Sequence, residues 1–176
     1  MHTKEELYSN KIFFNAALPL VKVIANDVPS LKKQFAHVHA IIQVSAKDPD
    51  APGGKVGMHF VVNSDEWLVH LNKVDPHPHV ELEFKSVEAM NAFFKGKMSP
   101  ATLPKMKGVV SHFSAFKAFL MTLLKMSSLL GATEAPKDEA TKELMVKCFF
   151  YLLSSGISQL NKMGHEDIHD WTSKSP

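Results

Sequence analysis

The sequence predicts an α+β fold in which helices cover one face of a mostly antiparallel β-sheet. Between residues 38 and 85, several short segments alternate between apolar and polar residues, which is the period of a half-buried strand. Helical patterns precede and follow these segments, and the two late helical segments are apolar around most of their circumference. A chain of 176 residues suits one compact domain with a sizeable core and helical additions at its ends.

The N-terminal segment is predicted to be helical. Thr3 to Glu6 have the form of a capping box, in which a hydroxyl and a carboxylate satisfy free amides at a helix start. A helix over about 4–25 is expected to follow, and Pro19 should kink or divide it. Its apolar stripe could cover the domain's own core, contact a membrane surface or pack on a second subunit. A second, short helix is predicted over 30–35.

Strands are predicted next, separated by turns rich in Pro, Gly, Asn and Asp, at 38–45, 57–62, 66–72 and 80–85. The last has the clearest alternation. Its apolar residues are expected to point inwards, and Glu81, Glu83 and Lys85 are expected to point into water. The two glutamates are therefore interpreted as a solvated surface rather than as a catalytic carboxylate pair.

The second half of the chain is predicted to be mainly helical. Ser86 caps a short helix that runs through Phe94, with Gly96 as its C-terminal stop. A weakly indicated fifth strand covers 106–110, and an apolar helix follows over about 111–126. A last helix is predicted over 138–163.

Composition excludes several classes of function. The net charge is only +2 and all 20 basic residues are lysines, so the forked guanidinium that favours phosphate and guanine contacts is missing and nucleic-acid binding is not expected. No apolar run approaches the length of a membrane span. The single Cys148 cannot form an internal disulfide, and the N-terminus is too polar for a signal peptide, which together predict a cytoplasmic protein.

The apolar helix over 111–126 raises the main functional question. On a helical wheel, one stripe contains Phe113, Phe116, Leu120, Leu123 and Leu124. So much apolar surface must be covered, either by the C-terminal helix or by a bound apolar ligand. Both readings stay open at this point.

Residues 80–129 resemble the core of the sterol carrier protein type two family. The resemblance lies in the order of an alternating strand, a capped helix ending in Phe94-Lys95-Gly96-Lys97, a proline-containing connection, a lysine-rich strand ending in Gly108, and an apolar helix. It implies a five-stranded sheet with helices over one face, enclosing a tunnel that takes up lipids without chemical change. The predicted organisation is an N-terminal helical extension (1–36), the family-like core (37–131) and a C-terminal helix and tail (132–176).

From the resemblance and the wheel together, we predict a lipid or acyl-type ligand, no enzymatic reaction and no cofactor. The predicted ligand contacts are one strand residue and one helix face: Leu82, Phe113, Phe116, Leu120, Leu123 and Leu124. The predicted partners are an apolar small molecule and, transiently, a membrane. An interaction module that uses its apolar helices to form a homodimer, with no ligand, is an alternative.

A second alternative is a zinc-dependent hydrolase. His165-Glu166-Asp167-Ile168-His169 fits the H-E-x-x-H pattern, which on a helix places two imidazoles together around a metal with the glutamate as general base. The preceding Gly164 and the nearby chain end instead favour a solvated tail, so no metal is predicted.

Two further features are weaker candidates for a functional site. His77 and His79, with His70 on the neighbouring strand, could share a metal, but the flanking prolines favour an exposed loop. Cys148 lies among apolar residues, which predicts a packed thiol of raised pKa rather than a nucleophile.

Overall fold

The computed structural model describes residues 17–94, 97, 99–130, 136–148 and 150–151. A five-stranded sheet lies at its centre, with strand order β3-β2-β1-β4-β5. The strands are β1 (His39–Lys47), β2 (Lys55–Asn63), β3 (Glu66–His70), β4 (Val80–Phe84) and β5 (Lys105–Lys107). The α+β class is thus confirmed.

The sheet is mixed, which corrects the prediction of a mostly antiparallel sheet. β1 pairs with β2 in the antiparallel sense, but it pairs with β4 in parallel, with Ile42 opposite Val80. The cause is the connection 71–79, which leaves the edge strand β3 and passes over β2 and β1 before β4 begins. Two hydrogen bonds hold this crossing loop on the sheet: Nδ1 of His59 lies 2.8 Å from the carbonyl oxygen of Lys73, and the amide of Asp75 donates to Gln43 over 2.6 Å.

The helices bounding the sheet are α1 (Leu20–Asp27), α2 (Pro29–Phe35), α3 (Val87–Phe94) and α4 (Phe113–Leu130), and residues 139–148 form α5. α1 begins directly after Pro19, and the part of the predicted N-terminal helix over residues 4–16 lies outside the described residues. The hydroxyl of Ser86 accepts from the amide of Ala89 over 3.1 Å, so the predicted cap of α3 is confirmed. In none of the described helices is there an apolar stretch long enough to cross a bilayer.

α1, α2, α3 and α4 all contribute buried side chains to the core on the apolar face of the sheet. Aromatic pairs fix this arrangement: Phe119 of α4 lies 6.0 Å from Phe60 of β2, and Phe35 of α2 packs edge-on against Trp67 of β3 at 4.7 Å. α5 joins the same core through Leu144 and Cys148, and an ion pair of 2.9 Å links its Lys147 to Asp27 of α1. The C-terminal helix therefore contributes side chains to the core that α1 and α4 share.

The fifth strand is shorter than predicted and starts earlier. It ends at Lys107, and the next residue, Gly108, has a φ of +77°, in the left-handed region that glycine adopts without strain. A β-carbon at this position would overlap the carbonyl oxygen of His79, so the turn also depends on close backbone approach. The turn directs the chain from the sheet edge onto the helical layer, where α4 begins five residues later.

Candidate ligand cleft and the polar face of the sheet

A cleft of about 370 Å³ opens between the start of β1 and the start of α4. Residues 37–40 line one side and residues 110–115 line the other. We call it the histidine cleft, because His37, His39 and His112 stand in its lining. Its volume falls in the range of small-molecule sites, roughly 300–1,000 Å³.

The histidine cleft has a small apolar floor, and more of its accessible surface is polar than apolar. Val38, Ala40 and Ala115 are buried and form the floor. At the mouth, Val110 is 95% exposed and Phe113 is 59% exposed, so two apolar side chains face water beside the opening. The rim carries the imidazoles and the hydroxyls of Ser111 and Ser114. A site of this kind suits a molecule with both an apolar and a polar part.

The histidines of the rim are held in defined positions. His112 packs edge-on against His79 with ring centroids 4.9 Å apart. Nδ1 of His79 accepts from the amide of Ile41 over 2.8 Å, so this nitrogen carries no proton. Nδ1 of His39 lies 2.5 Å from Oδ1 of Asn63. By contrast, Nδ1 of His112 is buried and has no hydrogen-bond partner among the described residues.

A second cleft, of about 550 Å³, lies beside the β2–β3 hairpin. Its lining includes the ionisable side chains of Lys22, Asp65 and Glu66 together with Trp67. Val61 and Leu68 add apolar surface to this lining, but none of the six predicted ligand residues lies in it.

The six predicted ligand residues fall into two groups. Leu82, Phe116 and Leu123 are buried in the core between sheet and helices. Phe113 and Leu124 are exposed, and Leu120 lies at the boundary, partly buried. Only Phe113 lines the histidine cleft.

The split arises because the predicted stripe is the margin of α4's buried face. The centre of that face is formed by Ala115, Ala118, Phe119, Thr122 and Met126, all of which are buried. The hydroxyl of Thr122 donates to the carbonyl oxygen of Ala118 over 2.8 Å, so its burial leaves no unsatisfied group. The predicted stripe leaves out these five residues, so it lies at the edge of the buried face and not on its centre. The floor residues Val38 and Ala40 could not be identified as site residues either, because they follow the same apolar–polar alternation as the other core residues of β1.

The opposite face of the sheet carries a buried polar network, which corrects the prediction that Glu81 and Glu83 are solvated. Glu81 is 3% exposed and Glu83 is 7% exposed. Oε1 of Glu81 accepts from Ser45 over 2.6 Å, from Gln43 over 2.9 Å and from Lys55 over 3.0 Å. Lys55 also pairs with Glu83, and Lys107 bonds both carboxylates, at 3.3 Å to Glu81 and 3.0 Å to Glu83.

The network sets the charge of its members. Burial alone would raise the pKa of Glu81, but the hydrogen bonds from Ser45, Gln43 and Lys55 lower it to about 2. Burial lowers the pKa of Lys55, and its bonds to Glu83 and Glu81 more than offset this and raise it. Both glutamates are therefore ionised and both lysines charged at neutral pH. With its hydrogen bonds satisfied, the network is a structural brace of the sheet.

The candidate metal ligands do not converge. In the ranges that the structure describes, no group of three His, Cys, Asp or Glu residues could hold a metal ion. His70 stacks on His59 at 4.6 Å, and the Nδ1 lone pair of His79 is used by Ile41. The H-E-x-x-H motif at 165–169 lies outside the described residues. Cys148 is buried, as predicted, and burial raises the pKa of its thiol.

Comparison with known proteins found similarity at the level of solved structures. No family model and no curated protein sequence matches the chain. A crystal structure of sterol carrier protein 2 matches with a TM-score of 0.44 and 11% identity, covering 74% of this chain and 97% of that one. The apo form of sterol carrier protein 2 from Yarrowia lipolytica matches with a TM-score of 0.38 and 16% identity, covering 62% and 91%. Both are structures of the family that residues 80–129 resemble.

Proposed function

We propose that this chain binds a lipid-like ligand, apolar with a polar end, in the histidine cleft, and that binding makes and breaks no covalent bond. The observation that carries the proposal is the cleft's composition. Val110 and Phe113 stand exposed at the mouth, where a ligand would cover them, and Val38, Ala40 and Ala115 form a small apolar floor below. The resemblance of residues 80–129 to a lipid-carrier family supports the same ligand class.

Desolvation would drive this binding. Each buried methylene group contributes about 0.8 kcal/mol. Association itself costs on the order of 4–15 kcal/mol, so a ligand with a long alkyl portion is favoured over a short one. Phe113 would lose its contact with water at the same time, which adds to the gain.

The polar rim would orient the ligand. Imidazole and hydroxyl groups at the opening can donate to an oxygen-rich end group, while the alkyl portion lies on the floor. Nδ1 of His112 is buried and has no hydrogen-bond partner among the described residues. A hydrogen bond from a polar ligand atom would stabilise this nitrogen. A ligand without a polar end would leave this rim unused.

The proposal is tested by titrating the full chain with a fluorescent fatty-acid analogue. Phe113→Ala should weaken binding about tenfold, because it removes an aromatic contact at the mouth, worth on the order of 1–2 kcal/mol. Leu68→Ala is the matched control, since Leu68 is equally exposed, at 63%, but lies on β3 away from the cleft. Equal affinity of the two variants would contradict the cleft as the site.

The other predicted contacts define how far the ligand extends. Leu124→Ala on the outer face of α4 weakens binding only if the alkyl portion runs along that face beyond Phe113. Leu82, Phe116 and Leu123 line the core, and they contact the ligand only if the layer between sheet and helices opens. Phe116→Trp tests this second arrangement, because a larger side chain there would block uptake into the core without reaching the cleft mouth.

A further inference from the structure

The lysines of this chain are unevenly distributed. Residues 89–133 contain six of the 20 lysines and none of the 18 acidic residues. The rest of the chain therefore carries an excess of acidic groups, although the whole has a net charge of only +2. The positive segment includes the edge strand β5 and both of its flanking loops.

Exposed apolar side chains lie along the same edge. Leu103 precedes β5, Met106 is within it and Val110 follows it, and these are 50%, 45% and 95% exposed. Lys97 and Lys105 are exposed beside them and have no ion-pair partner among the described residues. We call residues 97 and 99–113 the β5 edge segment. It combines apolar side chains that water solvates poorly with uncompensated positive charge.

We propose that the β5 edge segment docks on the surface of an anionic phospholipid bilayer. Apolar side chains flanked by lysines are the chemistry of interfacial binding, in which the side chains enter the headgroup region and the ammonium groups meet lipid phosphates. Val110 belongs both to this segment and to the histidine cleft, so the cleft would open next to the membrane. Docking is a property separate from ligand binding and does not rest on it.

Charge decides between a bilayer and a second copy of the chain. Two positive edge segments would repel each other, and lysines on an edge strand oppose pairing between sheets. β5 has only three residues, which leaves few free backbone groups for strand addition. An acidic surface is the complement of this edge, and the exposed apolar residues distinguish a bilayer from a simple polyanion.

The test is cosedimentation of the full chain with vesicles of phosphatidylcholine, with and without phosphatidylserine. We expect binding only when phosphatidylserine is present, and weaker binding as salt rises. The double variant Lys97→Glu/Lys105→Glu should weaken it by roughly 25-fold or more, at about fivefold for each lysine lost. The matched control is Lys32→Glu/Lys33→Glu, on α2, whose Phe35 packs against the opposite edge strand.

A second pair of variants tests the apolar part. Leu103→Ser/Met106→Ser should also release the protein from vesicles, whereas Leu68→Ser/Leu71→Ser, equally exposed near β3, should not. Neither pair lies in the histidine cleft, so binding of the fatty-acid analogue in solution should be unchanged. Equal binding to both kinds of vesicle, an equal loss in either control, or binding that survives the serine substitutions would overturn the proposal. Self-association abolished by Lys97→Glu/Lys105→Glu would overturn it in favour of a dimer.

Discussion

Replacing Glu81 with glutamine is the sharpest test of the polar network that braces the sheet. Glutamine keeps the shape of the side chain but removes the charge that Lys55 and Lys107 share. It also replaces an acceptor of the bonds from Ser45 and Gln43 by a group that is half donor. Because the site is buried, water cannot restore the lost contacts.

The magnitude follows from the pKa of Glu81, which lies at about 2 instead of its usual 4.5. A shift of this size corresponds to about 3 kcal/mol of folding free energy. Because the folded-state pKa is lowered, the stabilisation is fully present above the unfolded pKa and is lost as the pH falls towards 2. The Glu81→Gln variant should therefore lose about 3 kcal/mol at pH 7 and little at pH 2.

Urea unfolding followed by tryptophan fluorescence measures this difference, since Trp67 is buried between Phe35 and Phe60. The exposed Glu66 supplies the control, because Glu66→Gln should change the free energy of unfolding by less than about 0.5 kcal/mol. A loss below about 1 kcal/mol at pH 7 for Glu81→Gln would refute the reasoning, as would a loss of the same size at both pH values.

Three further substitutions or reactions test other parts of the fold. Gly108→Ala should destabilise the protein by more than about 1 kcal/mol in the same urea assay, because alanine at a φ of +77° is strained and its methyl group would meet His79. Phe60→Ala should cost about 3–5 kcal/mol, since the ring is fully buried beneath Phe119, and a smaller loss would contradict the packing of α4 on the sheet. The thiol of Cys148 should react with an aromatic disulfide reagent at least about tenfold more slowly in native buffer than in urea, and equal rates would show that it is not buried.

Hydrophobic period and capping residues predicted most of the helices and strands. The alternation at 80–85 placed β4 to within one residue, and Ser86 marked the start of α3. No pattern in the sequence indicated the parallel pairing of β1 and β4. Parallel strands usually need a long crossover with a helix, whereas here a loop of nine residues makes the crossing and is held by His59 and Gln43.

The burial of Glu81 and Glu83 could not be predicted from the strand that contains them. Alternating glutamates are typical of a wet face, and the residues that bury them come from elsewhere. Lys55 reaches in from β2 and Lys107 from β5, so the network exists only once strands distant in sequence are adjacent. The alternation correctly predicted that Glu81 and Glu83 lie on the face opposite the apolar core, but it wrongly predicted that they are exposed to water.

The candidate site could be predicted only in part, because its residues also come from segments that are distant in the sequence. Phe113 was identified by its position on an apolar helix, and it lines the cleft. The polar rim was not identified from the sequence. His39 and His112 are far apart in the chain, and they line the same cleft only because α4 starts beside β1. A pocket formed by two separate segments leaves no local signature.

Native mass spectrometry of the purified full chain, with organic extraction of whatever it carries, tests the central proposal most directly. We predict one apolar molecule with a polar end group per chain, or a one-to-one complex on addition of a long-chain fatty acid, with occupancy reduced by Phe113→Ala. A chain that carries nothing, and stays unliganded at saturating fatty acid, would contradict the ligand-binding proposal.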